Sequence, residues 1–343
     1  GLNVRERQRA EINPMQYGTI VHYILERFFG EYTKEEYLSL EEDKFQKIVC
    51  AYLAEYAVKY FGEEQLESNS FTYRLKTILD NVMYLMKHIM EELSQSEFFV
   101  ADCELKIGED IPSYTIVLPD GHKIAVCGSV DRVDIMQRAD ITYLRIIDYK
   151  TGTKQFKLSD ILYGINLQML LYLHSIEASG GDKYGEIVPA GILYMPATVP
   201  YISSDSLKSI DKLPDELNKK LKMNGLLLKD TEIIHGMDKT DAATYIPVKI
   251  KAGEPVSSTS LATLAEFGKI FKKVDMLIAE MGKNIYNGNI EAKPLKGGHD
   301  SCEYCPYDSV CAYRQSNPIT CFSVDNKTVI EEITNEINGK EEE

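Results

Sequence analysis

A chain of 343 residues, 44% hydrophobic and 27% charged, is globular rather than disordered and holds material for one large or two ordinary domains. Its net charge of -15 excludes a protein that coats polyanions through general basicity, although a single groove can still be basic. No apolar run nears the roughly 18 residues of a membrane helix, and the 7 cysteines lack the regular spacing of a secreted disulfide framework, so a reducing cytoplasm and no membrane partner are expected.

The chain opens Gly-Leu-Asn-Val-Arg-Glu-Arg without a methionine or a signal peptide, as a piece of a longer protein would. Residues 1–97 read as helical. Tyr17 to Phe29 carries Ile20, Tyr23, Ile24 and Phe28 at helical spacing, and Phe45 to Tyr60 and Tyr73 to Leu93 repeat the pattern. Residues 98–195 change texture. Phe99 to Ile107, Ser113 to Leu118, Lys123 to Met136 and Thr142 to Tyr149 are short, β-branched or aromatic, and punctuated by turns such as Pro119-Asp120-Gly121. These predict a mostly antiparallel sheet. A long helix is expected from Ser159, as N-cap, to Gly180-Gly181, then a strand from Gly185 to Met195.

Residues 196–260 are polar with strand-like pieces such as Ala243 to Ile250, and read as an elaboration on the core. Within 261–315, a helix over Leu261 to Tyr286 precedes a cysteine-rich segment. Residues 316–343 read as a polar tail, with the acidic run Glu331 to Glu343 as a frayed terminus. There is no internal repeat and no phosphate loop, so no motor ATPase is expected in this chain.

The chemistry sits in Gly128-Ser-Val-Asp131-Arg-Val-Asp134 followed by Ile146-Ile-Asp148-Tyr-Lys150-Thr-Gly152. A turn over Gln137 to Ile141 centres a symmetric hairpin between Ala139 and Asp140 and places Asp131 opposite Asp148. Facing carboxylates repel. A divalent cation reverses that sign, and hard oxygen ligands suit Mg²⁺ or Mn²⁺. Lys150 shares the face of Asp148, where its ammonium can hold an attacking water and steady charge growing on phosphorus, while the Tyr149 carbonyl offers the metal another oxygen. Carboxylate, carboxylate, lysine is a phosphodiesterase arrangement. Near the other end, Cys302, Cys305 and Cys311 gather three thiolates, which suggests zinc or an iron–sulfur cluster, either of which normally takes four ligands.

The hairpin pair resembles the PD-(D/E)XK nucleases of the RecB type. Gly18-Thr-Ile-Val-His22 is similar to that family's Gly-x-x-x-His element, and Gln168-Met-Leu-Leu-Tyr172 to its Gln-x-x-x-Tyr motif. With the cysteine triplet and the insertion after Met195, the resemblance extends to AddB-type subunits of bacterial helicase–nucleases. It implies an α/β fold with a mixed central sheet flanked by helices. It implies a metal held by His22, Asp131, Asp148 and the Tyr149 carbonyl, with Lys150, Gln168 and Tyr172 at the site and Glu104 as a weaker candidate.

The resemblance further implies a DNA exonuclease acting on single-stranded ends, on the 5′-ended strand, in double-strand-break repair beside an AddA-type subunit. In that family an upstream fourth cysteine completes a 4Fe–4S cluster with the triplet. This chain has no cysteine before Cys50, so the cluster is expected to be incomplete here. The alternatives are a silent DNA-binding or scaffold module stapled by such a cluster, a nuclease of the CRISPR spacer-acquisition type, or a zinc-stabilised interaction domain.

Overall fold

A computed structural model describes residues 12–62, 66–152, 154–202, 213–257, 259–303, 305–307, 310–311 and 318–341. Helix α1 (Pro14–Glu31) starts where Asn13 and Gln16 form a capping box and proline stands in the first turn. It buries Ile20, Val21, Ile24, Leu25, Phe28 and Phe29 along one stripe. After α2 (Lys34–Leu38), α3 (Glu42–Phe61) and α4 (Asn69–Ser94) complete the helical part, longer at both ends than the apolar spacing alone predicts.

Strands β1 (Phe99–Ile107), β2 (Tyr114–Val117), β3 (Lys123–Val126), β4 (Gly128–Arg138) and β5 (Ile141–Lys150) follow. The single strand expected over Lys123 to Met136 is two. β3 pairs with β2 in a separate hairpin, and β4 enters the main sheet after Cys127. A 3₁₀ turn (Leu158–Tyr163), α5 (Gln168–Ser179) and α6 (Gly181–Tyr184) cross to β6 (Glu186–Pro196), which lies parallel to β5, as a helical crossover permits.

The long helix expected from Ser159 is therefore broken. Gly164 and Asn166 both take positive φ, 67° and 55°, and the α-helix begins only at Gln168. Ser159 is buried in the 3₁₀ turn and caps nothing.

Beyond Met195 the chain does more than decorate the core. After α7 (Leu213–Leu221), β7 (Asn224–Leu228) joins the sheet antiparallel to β6. Gly225 is required there, since a Cβ would sit 2.0 Å from the Ile192 carbonyl oxygen. Helix α8 (Thr231–Met237), a hairpin of β8 (Lys249–Lys251) and β9 (Glu254–Val256), and β10 (Leu261–Ala262) follow. The finished six-stranded mixed sheet runs β1-β4-β5-β6-β7-β10, flanked by helices.

Helix α9 (Leu264–Tyr286) opens on a Thr263–Glu266 capping box and packs on α5. Short β11 (Leu295–Gly297) and β12 (Ile319–Cys321) pair in parallel. The polar tail is a helix, α10 (Asn326–Glu341): Val329, Ile333 and Ile337 recur every four residues and are buried, and the helix packs on α9 and the 3₁₀ turn. No described helix is long and apolar enough to cross a membrane.

A titrating staple joins α5, α9 and the β2–β3 hairpin. His174 stacks on Phe271 with ring centroids 4.6 Å apart, its Nε2 lies 3.2 Å from Asp275 Oδ2, and its Nδ1 lies 3.4 Å from Glu177. Tyr114 donates to Asp275 at 2.9 Å. Burial disfavours the imidazolium, but Asp275 and Glu177 outweigh it and push the His174 pKa up to about 9. A histidine raised in the folded state contributes stability that is complete below its unfolded pKa of about 6.5. That contribution is lost as pH climbs towards 9. Stability against urea should therefore fall by on the order of 2 kcal/mol across that window, and His174→Gln should flatten the slope. An unchanged slope in the variant would remove His174 as its source.

Candidate active site

The β4–β5 hairpin turns on Ala139 and Asp140, with Ala139 at φ 50°, and pairs from Arg138↔Ile141 to Arg132↔Ile147. The next step in that register sets Asp131 across from Asp148. On the other side of β4, Cys103↔Arg132 and Leu105↔Val130 bracket Glu104, which therefore faces Asp131 from β1. Three adjacent strands thus present Glu104, Asp131 and Asp148 in a row. Glu104 takes φ 51°, a conformation few residues other than glycine adopt, which strained functional positions often show.

His22 reaches this row from α1. Its Nδ1 lies 3.2 Å from Glu104 Oε1, its Nε2 lies 3.7 Å from Asp131 Oδ2, and Ser129 donates to Glu104 at 2.9 Å. Ligand atoms of His22, Glu104 and Asp131 fall within 4.8 Å of one another, the one such group among the described residues. The Tyr149 amide donates to Asp131 Oδ2 at 2.9 Å and so fixes that carboxylate from the neighbouring strand. The Tyr149 side chain is buried, its ring edge-on to His22 with centroids 5.7 Å apart and its hydroxyl 3.5 Å from Arg132. Lys150 places Nζ 2.6 Å from Asp148 Oδ2, with a side chain 29% exposed against 7% for Asp148, so the lysine can still turn towards solvent.

The electrostatics ask for a cation. Burial, with the charges of Asp148 and Glu104, pushes the Asp131 pKa up to about 6, although His22 and the Tyr149 amide oppose the rise. Burial works against a charged His22, but the Glu104 hydrogen bond and the Asp131 charge outweigh it, and its pKa is raised. Glu104 is lowered chiefly by its hydrogen bond with His22. Crowded, partly desolvated carboxylates beside an imidazole are a donor set that fits Mg²⁺ or Mn²⁺.

The remaining expected residues divide. Tyr172 lies with its hydroxyl over Gly128, where a Cβ would come within 2.3 Å of it, so the glycine opening β4 is what admits the tyrosine. Gln168 is exposed in the first turn of α5, one turn before Tyr172. Cys302 and Cys305 are half-buried and Cys311 is exposed. Among the described residues the three thiols do not gather within the 4.8 Å that joins His22, Glu104 and Asp131.

Three residues escaped sequence reasoning. Tyr194 stands beside Asp148 on β6, buried next to the site. Lys154 holds its ammonium 5.0 Å from the Tyr194 ring centroid, its pKa lowered by burial and then by the Lys150 charge. Asn224 on β7 accepts from the Phe156 amide at 2.7 Å and donates to the Lys154 carbonyl at 3.0 Å, tying down the loop after Lys150. A polar residue opening the apolar run Gly225 to Leu228 was the available signal for Asn224.

The family model for the PD-(D/E)XK nuclease superfamily matches residues 1–312. The chain is also similar to bacterial proteins named as one component of an ATP-dependent helicase/deoxyribonuclease. That of Thermoanaerobacter sp. (strain X514) is 34% identical over 91% of this chain and 28% of its own length. That of Alkaliphilus oremlandii is 32% identical over 98% of this chain and 30% of its own length. That of Clostridium kluyveri is 33% identical over 100% of this chain and 31% of its own length. The chain thus spans under a third of the length of these relatives. Its sheet, its row of carboxylates and a match over nearly the whole chain agree: it belongs to the PD-(D/E)XK nuclease superfamily.

Proposed function

We propose that this chain hydrolyses phosphodiester bonds of DNA as an exonuclease acting on single-stranded ends, on the 5′-ended strand. The observation that carries the reading is the row Glu104–Asp131–Asp148 with His22 at one end and Lys150 at the other. When bound, Mg²⁺ or Mn²⁺ would polarise a phosphate oxygen and lower the pKa of a water. Asp131, Asp148, His22 and the Tyr149 carbonyl would hold that ion, with Glu104 orienting His22 through Nδ1.

Lys150 supplies the catalytic cation on the face of Asp148. Released from the carboxylate, it orients the attacking water and meets the negative charge that grows on the phosphate oxygens. Tyr172, over Gly128, shapes the wall at the start of β4, and Gln168 lies one turn away to meet the strand. The relatives' names support work within a helicase–nuclease. In this reading that assembly repairs double-strand breaks, an AddA-type subunit is the partner, and strand separation is done elsewhere. The cysteine triplet then belongs to a 4Fe–4S cluster of the full-length protein.

A nuclease assay on single-stranded DNA with Mg²⁺ tests this. Lys150→Ala should cut about 10²–10³-fold more slowly, the cost of losing one preplaced donor to a developing oxyanion. Closed blunt duplex should be cut poorly by both proteins. Wild-type rates in the variant, or efficient cutting of closed duplex, would overturn the reading.

A further inference from the structure

The loop after Lys150 opens onto a groove of about 710 Å³ lined by Lys154, Lys219, Lys220 and Lys222. A second hollow of about 600 Å³ continues from it, sharing Lys219 and Lys222 and adding Lys249 and Lys251. Six lysines line the two, and among the described residues no carboxylate does, in a chain that carries 53 acidic residues against 38 basic ones. Such segregation of charge is the opposite of what the composition would scatter over a surface.

Neutral carbonyls hold two of these ammonium groups in place. Lys220 donates to the Tyr201 carbonyl at 2.5 Å, and Lys222 donates to the carbonyls of Ala243 and Val248 at 2.6 and 3.1 Å. Lys219 has an acidic neighbour on its own helix, Glu216 at 2.6 Å. Lys249 and Lys251 alternate with half-buried Ile250 on β8, so both project from one face of that strand and are exposed. Tyr201, 84% exposed on the groove wall, offers a flat ring to which a base can stack. On its other side the groove shares Thr151, Thr198 and Val199 with a largely apolar hollow of about 590 Å³ beneath α1 and α4, so one path runs past the Lys150 end of β5.

We propose that this lysine-walled groove carries the sugar–phosphate backbone of single-stranded DNA away from the bond cut at Lys150, and that residues 213–257 thereby select strands long enough to reach Lys249 and Lys251. The proposal rests on the nuclease reading and deepens it. Contacts to phosphates carry no sequence information, so the selection is for length and flexibility, not for base identity. A single strand, flexible along its backbone, can follow the two joined hollows from β6 past α7 to the β8–β9 hairpin.

The test compares the wild-type chain with the triple variant Lys220→Gln/Lys249→Gln/Lys251→Gln, and with a charge-matched control, Lys44→Gln/Lys47→Gln/Lys59→Gln, on the exposed face of α3. Fluorescence anisotropy with Ca²⁺ in place of Mg²⁺ measures binding of an oligonucleotide of about 20 nucleotides and of one of about 3. Each phosphate contact on a single strand adds about 0.7 to the slope of log K against log salt, so the groove variant should lose about 2 from that slope. Its preference for the long strand over the short one should shrink about tenfold, while the control matches wild type. A wild-type slope and length preference in the groove variant, or an equal loss in the control, would overturn the proposal. Cleavage of both oligonucleotides is followed in parallel with Mg²⁺. Lys150-dependent cutting with an unaltered salt slope sinks the groove alone, whereas no cutting by wild type sinks the nuclease reading and the groove with it.

Discussion

Asp131→Asn and Asp148→Asn should each remove DNA cleavage while leaving the chain folded, and Asp131→Asn should make the metal-free protein more stable. In the proposed site each aspartate would supply charge to the cation, so either loss should take the rate down by more than the Lys150 variant does. The stability gain follows from the raised Asp131 pKa of about 6. An acid whose folded pKa exceeds its unfolded value of 3.8 opposes folding once ionised, so at pH 7 the wild-type carboxylate is a burden. Asparagine has no charge to bury and keeps an oxygen for the Tyr149 amide. Thermal unfolding in EDTA at pH 7 should show the variant more stable by about 1–2 kcal/mol. Added Mg²⁺ should raise the wild-type midpoint and leave that of the variant in place. Wild-type cleavage at saturating Mg²⁺ in either variant would show that the metal lies elsewhere.

How much of this site the sequence discloses depends on the distance over which each part is set. The facing of Asp131 and Asp148 is local: a short turn and a two-residue strand period determine it, and the observed pairs Arg138↔Ile141 to Arg132↔Ile147 follow the symmetric register. His22 is more than a hundred residues away, and no periodicity predicts that α1 lays it against Glu104; only the family motif does. The broken helix before Gln168 was legible in principle, because Gly164 and Asn166 are the residue types that accept positive φ, but apolar spacing ran across them. In the tail, the acidic count hid the four-residue spacing of Val329, Ile333 and Ile337, which is what docks α10. β7 escaped because five residues are too few to reveal a period, and its place in the sheet is dictated by close approach at Gly225.

The deepest feature was invisible for another reason: alternation along β4 sends Asp131 to one face and Arg132 and Asp134 to the other. There Arg132 donates through Nε and Nη2 to both oxygens of Asp134, each at 2.6 Å, and through Nη2 to Glu92 of α4 at 3.2 Å. Arg145, across from Asp134 on β5, donates to Asp134 at 3.0 Å and to Glu92 at 2.6 Å. All four side chains are at most 1% exposed. Two cations and two anions sum to zero, and Arg145 lies 4.9 Å over the Phe98 ring centroid. Burial opposes ionisation of Asp134, but the two guanidiniums outweigh it and hold its pKa down.

Such a cluster contributes little net stability when whole, because desolvation offsets attraction; breaking it is what costs. Glu92→Gln and Arg145→Met should each destabilise the fold by about 3–5 kcal/mol in urea titrations, since each strands a buried charge. The double variant Glu92→Gln/Arg145→Met removes one charge of each sign and should lose clearly less than the two singles added together. The singles should also slow cleavage beyond what unfolding explains. Arg132 reaches the Tyr149 hydroxyl at 3.5 Å, and the Tyr149 amide holds Asp131, so the quartet sits one residue behind the carboxylate proposed to hold the metal. Strictly additive losses would show that Glu92 and Arg145 act independently, and that the quartet is four separate contacts rather than a unit clamping α4 to the back of the active site.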